Sequence, residues 1–148
     1  MALSRRKWIG TMLAAGGAAL LPLRLLANTA AAFKAVDADT ALKELFGDTP
    51  VEESAAIKLK IPDIAENGAV VPVTVSTDIA DVQAISIVVD ANPNPLSASF
   101  TISPDAFADV STRVKMGKSS LVRAFAHTPG KVYTTSKEVK VTIGGCGG

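Results

Sequence analysis

The side chain best suited to chemistry in this sequence is its only cysteine, Cys146, set in the terminal run Gly144-Gly145-Cys146-Gly147-Gly148. A thiol acts as nucleophile and redox group through its thiolate. The glycines around it lack a Cβ and accept nearly any backbone angles, so "GGCGG" reads as a flexible C-terminal arm. From Ile143 to Cys146 the extended reach is roughly 10 Å, at ~3.3–3.6 Å per residue. With no bulky neighbour, such a thiol can leave its own domain and enter a narrow cleft. The chemistry expected is covalent carriage of one group among the pockets of other proteins.

The same flanks argue against a catalytic thiol, which needs a base, a cation or a helix N-terminus held in fixed geometry. At a free pKa of about 8.5, only a few per cent of it is thiolate at neutral pH. Activation then falls to whichever partner receives the arm. Two other uses stay open: a disulfide that ties an exported structural or assembly subunit to a second chain, or a disulfide between two copies of this one. Gly147 and Gly148 also match the end of ubiquitin-like sulfur carriers, whose terminal carboxylate is the loaded group. The strand-rich pattern and the leader described below speak against that class.

Other chemistry has little to work with. The single histidine, His127, sits near a strand end before "TPGK" and reads as a surface or strand-end residue. One His and one tail Cys make no metal cluster of the usual kind, so no metal and no resident cofactor are expected. Basic and acidic residues give the whole chain a formal charge of +1. Four cations and no carboxylate lie in the first 24 residues; from Phe33 onward there are 11 basic and 14 acidic residues, a net of −3. With no basic cluster and 5% aromatic residues, nucleic-acid binding is not expected.

The elements that must position Cys146 begin after a leader. Arg5 and Arg6 precede an uncharged apolar run from Trp8 to Leu23, followed by the small residues "ANTAAA". That order is a twin-arginine export signal over residues 1–32, cleaved near Ala30 to Ala32. The run falls short of the ~20 apolar residues of a spanning helix. The mature protein is therefore expected in the periplasm and free of the membrane. In that oxidising compartment an odd cysteine points to a reactive thiol or an intermolecular bond.

Residues 33–143 read as one domain. "DADTALKELFG" predicts a short helix: Asp37 or Asp39 caps it, Leu42, Leu45 and Phe46 share a face, and Gly47 and Pro50 end it. The helix is expected to pack on a sheet. After Pro50 the apolar period becomes two, as in Ile57/Leu59/Ile61, Val71/Val73/Val75, Ile85/Ile87/Val89, Ala98/Phe100/Ile102 and Val139/Val141/Ile143. Pro72 lacks a ladder donor and marks an edge, a strand start or a bulge. Turn signals at "PDIAENG", "DANPNP", "SPDA", "MGKSS" and "TPGK" separate about seven strands. Their spacing predicts an all-β, immunoglobulin-like antiparallel β-sandwich with one short N-terminal helix. Residues 144–148 form the arm.

The leader, the "NPNP" turn, "TRVKM", "VRAFAHTPGKVYTTSKEVKVTI" and the terminal "GGCGG" together resemble the SoxY family, sulfur carriers of periplasmic thiosulfate oxidation. The resemblance covers the mature chain, and the "GGCGG" end is its most specific part. It implies that Cys146 is the carrier thiol, holding covalently bound sulfur intermediates, and that Gly144, Gly145, Gly147 and Gly148 form the swinging arm. It implies a heterodimer with a SoxZ-like subunit. It further implies transient encounters with a SoxAX-like haem enzyme, a SoxB-like hydrolase and, where present, a SoxCD-like dehydrogenase. The chain itself is then no enzyme but the substrate of these partners.

Overall fold

The structure, a computed structural model, describes residues 29–142. The leader arginines Arg5 and Arg6 lie outside the described residues, as does the segment 143–148 with Cys146 and its four glycines.

Residues 29–34 are helical. Helix α1, Ala38–Phe46, follows. Asp37 caps it: its carboxylate accepts the Thr40 N–H at 2.8 Å, which satisfies a donor left free by the first turn. At the other end Gly47 takes a positive φ of 56°, and its N–H donates to the Lys43 carbonyl. A side chain there would be strained, so the glycine stops the helix cleanly.

Nine strands come next: β1 Val51–Glu53, β2 Ile57–Lys60, β3 Ile64–Ala65, β4 Val71–Thr77, β5 Ala84–Val89, β6 Leu96–Thr101, β7 Asp109–Val114, β8 Ser120–Thr128 and β9 Lys131–Val141. One sheet runs β1-β9-β8-β5-β6, with β3 also on β9; the other runs β2-β4-β7. The pairings are antiparallel except for β1 and β3, which both lie parallel to β9. The fold is thus the all-β, immunoglobulin-like sandwich expected of the sequence. The two parallel strands are an addition: the chain runs beside β9, crosses to the second sheet as β2, and returns.

Alternation decides the core. Val71, Val73 and Val75 point inward from β4 and meet Ile85, Ile87 and Val89 from β5, with Val122, Ala124 and Val139. Pro72 sits in the first half of β4, which β7 alone flanks, because β2 pairs only with Thr74–Thr77. Strand β5 is buried on both faces. Its second face, with Val88, packs under Phe46 and Ala32 beside Phe125, Leu96 and Val132. The Phe46 and Phe125 rings stand 5.0 Å apart at 47°. Ala32 has 0% exposure, so the packed body reaches back past Phe33, where the mature domain is expected to begin.

Candidate functional site

The sandwich has two distinct ends. Strand β9 is 11 residues long and joins them, a span of roughly 35 Å at ~3.3 Å per residue. At its far end begins the segment that carries Cys146.

That exit is built as a fixed base. Lys140 N–H donates to the Asp63 carbonyl at 2.9 Å and Thr142 N–H to the Ala65 carbonyl at 3.1 Å, so β3 holds one side of the strand. Val141 N–H donates to Ser119 Oγ at 2.9 Å on the other side. Lys137 reaches the Ile61 carbonyl at 2.9 Å and the Asp63 carboxylate at 2.8 Å. Beneath Val141 lies Gly68, whose carbonyl accepts the Met116 N–H at 2.6 Å. A Cβ at Gly68 would stand 2.4 Å from the Met116 carbonyl oxygen and 2.9 Å from Val141 Cγ1, so the close approach requires glycine. The last described residues therefore have a set position and direction.

His127 is not the surface residue that its strand-end position suggests. It faces α1, with its ring 4.7 Å from that of Phe46. Its Nε2 shares a hydrogen bond of 3.0 Å with Ser86 Oγ, which in turn lies 3.1 Å from Ser99 Oγ. Burial lowers its pKa to about 4, so the ring is neutral at ordinary pH. This Ser–His contact is no nucleophilic site. Ser86 has 0% exposure, and no carboxylate orients the ring among the described residues. Also among the described residues, no three His, Cys, Asp or Glu side chains gather as a metal would need. No described helix is long and apolar enough to cross a membrane.

The opposite end holds a feature that sequence reasoning missed. Loops 78–83 and 102–108 and the β8–β9 turn line an open cleft of about 440 Å³, with Phe107 at its rim. The available signal was a large aromatic inside a run of turn-forming residues, "SPDAFAD".

A family model described as "Sulfur oxidation protein SoxY" matches residues 42–146, from within α1 to Cys146 itself. The chain belongs to the SoxY family. Among solved structures, it is similar to the sulfur carrier protein SoxY from Chlorobium limicola f thiosulfatophilum, with 46% identity, a TM-score of 0.65, and coverage of 71% of this chain and 96% of that one. A superoxide reductase (neelaredoxin) from Ignicoccus hospitalis shares the fold, at 21% identity and a TM-score of 0.53 over 59% of this chain and 80% of that one. No curated protein matches the chain. SoxY membership makes this a sulfur oxidation protein of the Sox system.

Proposed function

We propose that this SoxY-family chain carries thiosulfate-derived sulfur on Cys146 and presents it to the enzymes of a periplasmic Sox system. It is a sulfur carrier, not an enzyme. The observation that carries this reading is the family match, which runs to Cys146, joined to a fixed strand end four residues earlier.

The chemistry divides between carrier and partners. Joining the Cys146 thiolate to the sulfane sulfur of thiosulfate makes an S–S bond and releases two electrons, which a SoxAX-like haem enzyme takes. Water then splits off the sulfone end as sulfate under a SoxB-like hydrolase, leaving a persulfide on the carrier. Where a SoxCD-like dehydrogenase exists, it oxidises that remaining sulfur. No metal or cofactor of the chain itself enters these steps. Gly144, Gly145, Gly147 and Gly148 serve as the arm: they keep the cargo slim and let it reach each pocket. Cargo that stays bonded to one thiol does not diffuse away between steps.

A SoxZ-like subunit is the standing partner in this reading, as a heterodimer. Arg5 and Arg6 mark the twin-arginine route to the periplasm. Cleavage on the N-terminal side of Ala32 leaves that buried residue in its place. A disulfide between two copies through Cys146 is a resting form.

Replacement of the thiol tests the reading. Cys146→Ser is expected to abolish thiosulfate-dependent growth while the fold and the complex with the partner subunit survive. Growth at the wild-type rate would sink the assignment.

A further inference from the structure

The packed body starts ahead of Phe33. Residues 29–34 are helical, and Ala32 within them has 0% exposure. Ala32 shares one apolar cluster with Phe46 of α1, Val88 of β5, Leu96 of β6, Phe125 of β8 and Val132 of β9. Its carbonyl accepts the Ala35 N–H at 3.2 Å. The Ala35 carbonyl accepts Asn94 Nδ2 at 3.2 Å, which ties the segment to the β5–β6 loop. Ala35 is buried too. The segment that leads into α1 is therefore held by backbone bonds, by a side chain of a distant loop and by the core.

This gives the small residues of "ANTAAA" a second cause. Ala32 is small because it lies inside a cluster, whatever a leader peptidase prefers. A peptidase binds its substrate as an extended strand across the bond it cuts. Cleavage after Ala30, Ala31 or Ala32 needs the 29–34 helix unwound, and cleavage after Ala32 takes that residue out of its cluster. Burial and hydrogen bonding of the affected backbone decide such a cut, more than position in the sequence does. The bond between Ala27 and Asn28 precedes the packed segment, and Ala27 supplies the small side chain before it. Leu25 stands where an A-x-A pattern has its first alanine, so local sequence alone favours the alanine run and the fold opposes it.

We propose that the leader is removed between Ala27 and Asn28, and that residues 28–32 stay on the mature protein as part of its fold. This position rests on the export reading of Arg5 and Arg6, and it moves the start of the mature domain from Phe33 to Asn28. The twin-arginine route carries folded chains, so the peptidase meets residues 29–35 already packed. A cut after Ala32 would leave a gap in the cluster of Phe46, Val88 and Phe125 and set a charged amino group at its edge.

Intact mass and amino-terminal sequencing of the chain recovered from the periplasm test the position. The first residue is expected to be Asn28. A first residue at Thr29 or beyond, or before Asn28, overturns the proposal. A chain that keeps its whole leader sinks the export reading together with it. Ala27→Phe should accumulate as precursor. The double variant Ala30→Gln, Ala31→Gln changes two exposed helical positions and should be processed as the wild type is. Accumulation of precursor in the double variant alone contradicts the assignment. A second readout needs no export. Chains made without the leader, one starting at Asn28 and one at Phe33, should differ in melting temperature, the shorter by about 4 °C or more. Equal melting would show that residues 28–32 are no part of the fold and overturns the proposal. Loading of Cys146 does not enter either measurement, so the carrier reading stands or falls separately.

Discussion

Gly68 and Met116 are in backbone contact under the last turn of the C-terminal strand: the Gly68 carbonyl accepts the Met116 N–H at 2.6 Å, with no room for a Cβ between them. This contact joins the β3–β4 and β7–β8 loops beneath Val141, at the point where the chain leaves for Cys146. It fixes the root of the segment that leads to Cys146.

Gly68→Ala should therefore be costly although it adds one methyl group. The new Cβ meets backbone on one side and Val141 on the other, neither of which can swing away. Overpacking of this kind costs about 1–3 kcal/mol. Urea unfolding checks it, with Gly117→Ala as a control, since nothing lies within 4 Å of a Cβ there. Equal midpoints for the two variants would show that the contact is softer than described.

His127 sets an acid limit on stability. Its folded pKa of about 4 is below its ordinary value of 6.5, owing to burial. Between these values the unfolded chain binds more protons than the folded one. The stabilisation is complete above about pH 6.5 and is lost as the pH falls toward about 4. The loss is on the order of 3 kcal/mol, at ~1.36 kcal/mol per pH unit. Phe46 and Ser86 contact the ring, and neither offers a charge to offset protonation. Urea midpoints at about pH 7.5 and about pH 4.5 should differ strongly for the wild type and less for His127→Gln. The same pH slope in both proteins would place the acid sensitivity elsewhere.

The two glycines before Cys146 are predicted to matter for access and not for stability. Replacing Gly144 and Gly145 with valine adds β-branched side chains and narrows the backbone choices. Loading of Cys146 by a haem partner should slow by about tenfold or more, one step of ~1.4 kcal/mol in the barrier. The melting temperature should stay within a degree or two. Unchanged loading would remove cleft access as the reason for glycine.

Much of this architecture is legible in the residue pattern, for a physical reason. Val71, Val73 and Val75 alternate with polar residues because β4 has one dry face, and that period is written in the sequence. The cap at Asp37 and the stop at Gly47 are local chemistry and are equally legible. Strands β1 and β3 are not. Val51–Glu53 is exposed throughout, and β3 has only two residues, so both exist through pairing with β9 and carry no period of their own. The burial of His127 depends on Phe46 of α1 lying against it and Phe125, a contact between distant segments that no local pattern encodes. Phe107 is similar: only the assembled loops show that it stands beside a cleft. At the thiol end composition alone suggests a carrier, and the family match runs to Cys146, which lies outside the described residues.

The most direct test of the carrier claim is the intact mass and peptide map of the chain recovered from thiosulfate-grown cells without reductant. Sulfur adducts are predicted on Cys146 and on no other residue, released by a thiol reductant and absent from Cys146→Ser. Sulfur retained at the Gly148 carboxylate, or a Cys146 that carries none during active thiosulfate oxidation, would contradict the account.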